Sequence, residues 1–236
     1  MKELRQFTMA RVGLGRAGNS LPVHEMLALQ LAHARAKDAV HFPFDAASIV
    51  RELGGIIVKS AARDRAEYLR RPDLGRRLSL DSRAAIERLH GSYDAVFVIA
   101  DGLSAPGVHR HAADVLRRLL PGLAGWRIAP NIIVEQGRVA IGDDIGDRIG
   151  AALSVVLICE RPGLSSPDSL GAYLTWSPRP GRTDAERNCI SNIRPEGLAA
   201  GAAAELLMLL MGESRARRLS GVNLKFRGGG YERMPL

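Results

Sequence analysis

The sequence is poor in cysteine and in aromatic residues, and each shortage excludes a class of protein. Only two of its 236 residues are cysteines, and Cys159 and Cys189 form no Cys-x-x-Cys pair. They disfavour structural zinc, and because the chain has no export signal we expect two reduced thiols rather than a disulfide. Aromatic residues make up 5% of the chain, which is too little for a platform on which bases stack.

Long apolar runs and low-complexity tracts are also missing. No run approaches the roughly 20 apolar residues that span a bilayer, and the first residues lack the apolar core of a secretory signal. We therefore predict a cytoplasmic protein with no membrane partner. The chain is 46% hydrophobic, so it has enough apolar material for a core in one or two domains.

Positive charge is in excess, and the formal net charge is +8. Such an excess is typical of nucleic-acid-binding proteins, but acidic residues interrupt the arginine groups, as between Arg63 and Glu67. We expect no nucleic-acid partner, because a surface that meets phosphates or an acidic protein explains the charge equally well. A basic nucleic-acid-binding adaptor stays as an alternative, which salt-dependent retention on DNA would support.

Patterns in the first 90 residues predict helices and no strand. Asp45 can cap a helix in which Ile49 and Leu53 lie one turn apart, and two glycines at 54 and 55 end it. An earlier helix over residues 24–40 places Leu27 and Leu31 on one apolar stripe. Further helices are predicted over 60–69 and 82–89. We therefore expect a helical N-terminal domain over residues 1–90.

From about residue 93 the pattern predicts strands that alternate with helices. Continuous apolar runs at 94–100 and 154–159 are typical of buried parallel strands, and further strands are predicted at 131–134 and 172–176. Helices are predicted over 106–120, 143–153 and 196–211. The fold class expected is α/β, with a Rossmann-like domain over residues 91–236 and a mainly parallel sheet. Ligands bind such sheets beyond the carboxyl ends of the strands, where the polar loops 101–107 and 160–170 follow.

The motifs that would indicate hydrolysis or dinucleotide binding are incomplete in this sequence. Ser104 lies between a strand and a helix, as in an α/β-hydrolase, but Pro106 replaces the required glycine and the last histidine, His111, comes only seven residues later. The G-x-G-x-x-G match at 13–18 has no strand before it, so it is a weak sign of dinucleotide binding. We predict no catalytic residue and no metal ligand in this chain.

Seven segments, taken in order, resemble the small (light) subunit family of ethanolamine ammonia-lyase. Each is weak alone, but the ordered set is specific and covers nearly the whole chain. The segments are HARAKDAV at 33–40, YLRRPDLGRR at 68–77, DGLS at 101–104, GRVAIGD at 137–143, ERPGLSSPDSL at 160–170, RNCISNI at 187–193 and SGVNLK at 220–225. The family usually has glycine where Cys159 stands and arginine where Lys37 stands.

The resemblance implies a hetero-oligomer whose two subunits have different roles. The large subunit is a barrel that binds ethanolamine, and the small subunit helps to enclose adenosylcobalamin at the interface between the two. Homolysis of the cobalt–carbon bond starts a radical reaction that yields acetaldehyde and ammonia. The cofactor supplies this chemistry, while the protein positions the reactants and excludes water.

The resemblance also places the cofactor contacts of the small subunit at Val139, Glu160 and Cys189. Glu160 can accept hydrogen bonds from corrin amides, and Val139 can offer backbone groups to them. Arg138 and Arg161 are further candidates for the phosphate of the cofactor, on charge alone. The D-x-H-x-x-G signature of enzymes that replace the lower base of cobalamin with histidine is absent. We therefore expect cobalt to keep its own dimethylbenzimidazole.

The sequence alone leaves two points open. Some family members carry a longer N-terminal extension that is linked to packaging in a bacterial microcompartment, whereas here Met1 lies close to the first matching motif. Whether this cytoplasmic protein is packaged is therefore not decided. A stand-alone cobalamin-binding module without lyase activity is the second functional alternative.

Overall fold

The fold is built on one sheet with helices on both faces. The computed structural model describes residues 10–159 and 162–224, with mixed α and β structure. The strands are β1 (Ile56–Lys59), β2 (Tyr93–Ala100), β3 (Ile132–Glu135), β4 (Ala151–Ile158), β5 (Leu170–Trp176) and β6 (Arg187–Ile193). The α-helices are α1 (Val23–His41), α2 (Ala46–Leu53), α3 (Arg65–Arg70), α4 (Leu80–Glu87), α5 (Ala105–Leu119), α6 (Ile141–Ile149) and α7 (Ala200–Arg217).

The sheet has six strands in the order β1-β3-β2-β4-β5-β6. The first four strands of that order pair in parallel, and β5 and β6 then pair antiparallel. The four strands predicted from apolar runs are therefore confirmed, and most of the helices lie where the periodicity placed them. The sheet is mixed rather than purely parallel, because β5 returns directly beside β4.

Alternate residues of β2 supply two cores. Phe97 and Ile99 belong to one apolar cluster with residues of α5 and α7, while Val96 and Val98 belong to a second cluster with residues of α4 and α6. All four side chains are fully buried. This explains the continuous apolar run in the sequence, since a strand covered on both faces has no solvent-facing position.

The expectation that the first 90 residues contain no strand is wrong. β1 joins the sheet beside β3, with Val58 paired to Val134. A four-residue edge strand gives little periodicity. Ile57, whose side chain lies on the opposite face from the buried Val58, is 43% exposed. The helix predicted at 60–69 begins only at Arg65. The backbone N–H groups of residues 60 and 61 donate to Glu135 and Arg77 instead, and the carboxylate of Asp64 caps the helix. The division into domains at residue 90 stays a prediction.

Helix α1 forms as predicted, but its apolar stripe is not its buried face. Ala32, Ala36 and Ala39 are buried, whereas Leu27 and Leu31 are 55% and 52% exposed. Helix α2 begins at the predicted cap, where the carboxylate of Asp45 accepts the backbone N–H of Ser48 at 2.9 Å. No helix within residues 10–159 and 162–224 is long and apolar enough to cross a membrane.

Candidate functional site

A large cavity lies on the α6 face of the sheet, beside the antiparallel strands. It has a volume of about 690 Å³, and its walls come from the α3 region, the loop between β3 and α6, and strands β5 and β6. Helix α6 packs against β2 and β4, and the residues of β5 and β6 that follow on this face line the cavity instead. Its lining includes Tyr68, Arg76, Arg138, Val139, Ile158, Tyr173, Arg182, Arg187 and Cys189.

Two of the three predicted cofactor residues, Val139 and Cys189, line this one cavity. Val139 is half-buried in the loop before α6, and Cys189 is exposed on β6, where it pairs with Tyr173 of β5. Glu160 lies outside the described residues, as does Arg161. In the sequence Glu160 comes two residues after Ile158, which also lines the cavity.

The loop that carries Val139 is fixed from several sides. A carboxylate oxygen of Asp101 accepts the backbone N–H of Gly137 at 3.0 Å, and the Tyr68 hydroxyl donates to the carbonyl of Gly137 at 3.0 Å. The backbone N–H of Arg138 donates to the carbonyl of Gly75 at 2.8 Å. These bonds satisfy the loop backbone internally, so the backbone at residues 137–138 is held in place before any ligand arrives.

Tyr68 joins this loop to the cations around it. Its ring is fully buried, with the Arg138 guanidinium 4.2 Å and the Arg65 guanidinium 4.8 Å from the ring centre. A Cβ added at Gly75 would lie 2.7 Å from the Arg138 side chain and 3.0 Å from the Tyr68 ring. Only glycine therefore lets the two side chains stack here. Burial, the largest influence, raises the pKa of Tyr68, so its hydroxyl stays protonated and donates.

Arg138 has donor capacity to spare on the cavity wall. One terminal nitrogen donates to the carbonyl of Tyr68 at 3.3 Å. Its Nε is buried and meets no acceptor among the described residues. A buried donor without an acceptor costs about 1–3 kcal/mol, so an acceptor that enters the cavity is favoured at this position.

A buried ion pair closes the other side of the cavity. Arg187 donates to both carboxylate oxygens of Asp143 at 2.7 and 2.6 Å, and to the Thr175 hydroxyl at 3.0 Å. Both charged side chains are less than 5% exposed. Burial raises the pKa of Asp143 although Arg187 opposes the shift. The bidentate pair joins α6 to β6 and so couples the Val139 loop to the Cys189 strand.

The two loops predicted to form the ligand edge do lie together, but they contact each other. The backbone N–H of Leu103 donates to the carbonyl of Cys159 at 2.7 Å, and the Ser104 hydroxyl donates to the carbonyl of Pro167 at 2.6 Å. Ser104 is fully buried, so it is a packing residue rather than a nucleophile. The cavity opens at the same edge, beside the loop that follows the parallel strand β3.

The chemistry of the cavity is that of binding. Its walls combine guanidinium donors with the apolar surfaces of Tyr68, Val139, Ile158 and Tyr173. Within the described ranges, no group of three or more His, Cys, Asp or Glu side chains is placed to hold a metal ion. A large ligand with a flat apolar body and acceptor groups at its edge suits such walls.

Comparison with known proteins decides the family. The sequence matches the family model described as "Ethanolamine ammonia-lyase light chain (EutC)" over residues 1–225. The chain belongs to this family. It is 54% identical over 235 residues to the ethanolamine ammonia-lyase small subunit of Azotobacter vinelandii, which covers 95% of this chain and 87% of that protein.

Two further relatives carry the same name. Identity is 54% over 233 residues with the protein of Ralstonia nicotianae, covering 94% of this chain and 86% of the relative. It is 55% over 236 residues with that of Pseudomonas paraeruginosa, covering 94% and 85%. The resemblance identified from seven segments is thus confirmed along the chain.

Sequence reasoning missed several residues of the cavity. Tyr68 and Arg76 stand inside the matching segment 68–77, and Arg187 stands inside 187–193, but none of the three was singled out. Their spacing carries no motif, because the sheet brings together segments more than 100 residues apart. The only early signal was the position of Tyr68 as one of few aromatic residues within a matched segment.

Proposed function

We propose that this chain is the small subunit of an ethanolamine ammonia-lyase and that it forms half of a site for adenosylcobalamin. The other half belongs to a large subunit that binds ethanolamine. In this proposal the sheet is the Rossmann-like, cobalamin-contacting part of the chain. The observation that carries the proposal is the meeting of Val139 and Cys189, 50 residues apart in sequence, in one cavity of a chain of this family.

The donor set of the cavity fits the cofactor. The edge of a corrin carries amide side chains whose carbonyl groups accept hydrogen bonds, and the spare Nε of Arg138 is such a donor. The apolar faces of Val139 and Tyr173 suit a flat macrocycle, and we propose Glu160 as the acceptor for the amide N–H groups. When bound, adenosylcobalamin supplies the radical chemistry through its cobalt–carbon bond.

The residues of this chain would then orient the cofactor and exclude water from its enclosed side. The fixed backbone at residues 137–138 presents Val139 without reordering, which lowers the entropic cost of binding. The cavity is open on one side, so a second polypeptide is required to enclose the ligand. This agrees with the small-subunit name of the relatives and with a hetero-oligomeric enzyme.

The proposal predicts that Cys189→Tyr weakens cofactor binding in the assembled enzyme. The added ring enters the cavity, while Cys189 is exposed, so folding is little affected. We expect the affinity of the co-purified subunits for adenosylcobalamin to fall at least tenfold, and ammonia release from ethanolamine to recover at high cofactor concentration. Affinity is measured by titration, with ammonia release as the second readout.

Ser191→Tyr is the matched control, because it adds the same ring to the same strand at an exposed position outside the cavity lining. Equal affinities for the two variants would contradict the proposed site. Ammonia release must also require both subunits together. Tight binding of cyanocobalamin by the purified chain alone would favour a stand-alone cobalamin-binding module instead.

A further inference from the structure

A second cavity, rich in arginine, lies next to the proposed cofactor site. Its volume is about 370 Å³, and it shares Arg76, Ala140 and Arg182 with the first cavity. Side chains from four separate parts of the chain converge on it. The arginines in its wall are Arg76, Arg77, Arg83, Arg148 and Arg182.

The acidic residues of this cavity are already neutralised. Asp144 accepts Nε of Arg148 at 2.7 Å. Asp143 is held by the buried bidentate pair with Arg187, which is not part of this wall. Arg182 is paired with Glu186. These ion pairs cancel the charges of Asp143, Asp144, Arg148 and Arg182. None of the four therefore contributes to the net charge of the cavity.

Three arginines of this wall have no salt-bridge partner among the described residues. Within residues 10–159 and 162–224, neither Arg76, Arg77 nor Arg83 forms an ion pair with a carboxylate. The Nε of Arg83 is buried and has no acceptor in the same ranges. A concave space with three unpaired guanidinium groups attracts an anion, and the buried N–H of Arg83 favours an acceptor oxygen at short range.

We infer that this arginine cavity binds a phosphate group. Guanidinium forks match the geometry of phosphate oxygens and are preferred where phosphate is bound through two parallel hydrogen bonds. A pocket of this size, enclosed by side chains from separate segments, suits a compact anion better than an acidic stretch of protein. Because it adjoins the first cavity, one ligand can occupy both.

The phosphate has two possible sources. If it belongs to the cofactor, the inference rests on the proposed function. One source is the phosphodiester in the nucleotide loop of adenosylcobalamin, which would extend from the first cavity into the second. The other is free phosphate. Both place phosphate oxygens against Arg76, Arg77 and Arg83, and they are separated by the choice of probe.

The test uses the assembled two-subunit enzyme with Arg83→Gln or Arg77→Gln in this chain. Arg88→Gln is the matched control, since Arg88 is an exposed arginine at the end of α4 that does not line the cavity. Adenosylcobalamin, adenosylcobinamide (which lacks the nucleotide loop) and inorganic phosphate are titrated separately. Urea unfolding of each variant verifies that it is folded; Arg77 is exposed, so Arg77→Gln remains informative if Arg83→Gln is unstable.

If the cofactor is the source, both cavity variants lose roughly 10- to 100-fold in affinity for adenosylcobalamin, as for a lost hydrogen bond to a charged group. Their affinity for adenosylcobinamide stays at the wild-type value. If free phosphate is the source, phosphate binding is lost and cobalamin affinity is unchanged. Either result supports phosphate recognition in this cavity.

Variants that bind every probe like Arg88→Gln would overturn the inference. The same holds if they only weaken assembly with the large subunit, which would assign the arginines to an acidic surface of the partner. A wild-type enzyme that binds no cobalamin would refute the proposed function but not this inference, which the phosphate titration would then decide by itself.

Discussion

Asp101 is a single residue on which the geometry of the Val139 loop depends. Its side chain is 4% exposed, accepts the N–H of Gly137 and lies 3.3 Å from Nη1 of Arg65. Burial is the largest influence and raises the pKa of this carboxyl to about 6, although Arg65 and nearby backbone N–H groups oppose the shift. The cost of burying the charge therefore outweighs its pairing.

This pKa predicts how stability changes with pH. An aspartate in the unfolded chain titrates near 4, so between pH 4 and 6 the folded state binds the proton more tightly. The free energy of unfolding should fall as pH rises through this interval, by at most about 3 kcal/mol, and the contribution of Asp101 should be constant above it. Urea unfolding from pH 4 to 7 measures the slope.

The Asp101→Asn variant isolates this carboxyl from the others. The side chain of the variant cannot ionise. The unfolding free energy of the wild type minus that of the variant should therefore fall, by up to about 3 kcal/mol, as pH rises from 4 to 6. Parallel pH profiles would show that Asp101 does not titrate there. If the value for the wild type minus that for the variant rose with pH, the ion pair with Arg65 would lower the pKa of Asp101 instead.

At the scale of elements, the attachment of β1 depends on a glycine. Gly55 has φ of +107°, and a Cβ placed there would lie 2.1 Å from the carbonyl oxygen of Asn131. That same carbonyl accepts the N–H of Ile56 at 3.0 Å, at the first step of the β1–β3 pairing. A side chain at position 55 must therefore displace β1 from the sheet edge.

We predict that Gly55→Ala is more destabilising than Gly54→Ala. Gly54 also has a positive φ, of +69°, but nothing lies within 4 Å of an added Cβ. Its substitution should cost about 1–3 kcal/mol of backbone strain, whereas Gly55→Ala adds a steric cost of similar size. Thermal and urea unfolding compare the two variants. Equal losses would mean that β1 tolerates displacement and that conformation alone matters.

The elements that could be predicted from the sequence are those with a strong local pattern. The strands at 94–100 and 154–159 were found because both of their faces are buried. β6 was missed because its buried positions, Arg187, Ile190 and Ile193, are three residues apart. Arg187 is buried against Asp143 of α6, whereas Ile190 belongs to the core with α5 and α7. The register shift opposite Leu170 and Ala172 then separates Ile190 from Ile193. A strand with that spacing has neither an apolar run nor an alternation of two.

The cavity follows the same division. Val139 and Cys189 could be named from family motifs, and the structure places both in one wall. The arginine wall beside them could not be read from the sequence, because Arg76 and Arg182 come together only through the order of the strands. The arginine groups were visible, but their pairing with Asp143, Asp144 and Glu186 was not, so the unpaired members could not be told apart.

At the scale of the whole molecule, α1 has an apolar face that nothing within residues 10–159 and 162–224 covers. Val23, Leu27 and Leu31 follow one another at intervals of four and are 64%, 55% and 52% exposed. The opposite alanine face is the one that packs on the rest of the chain. An apolar stripe of this length on one helix is typical of a surface that meets another protein. Because the relatives are named small subunits, we propose that this face meets the large subunit.

This assignment predicts that the double variant Leu27→Asn with Leu31→Asn weakens assembly. Each leucine would contribute about 1.5–3 kcal/mol if the interface buried it fully from a fully exposed state. Since each is only about half exposed in the free chain, losing both should cost at least tenfold in affinity for a separately tagged large subunit. Leu80→Asn is the control, since Leu80 is 78% exposed on α4. Because both changed leucines already face solvent in the isolated chain, its unfolding free energy should change little.

Equal assembly of the double variant and the control would remove α1 from the interface. If wild type alone formed dimers that the double variant abolished, the stripe would belong to a contact between two copies of this chain.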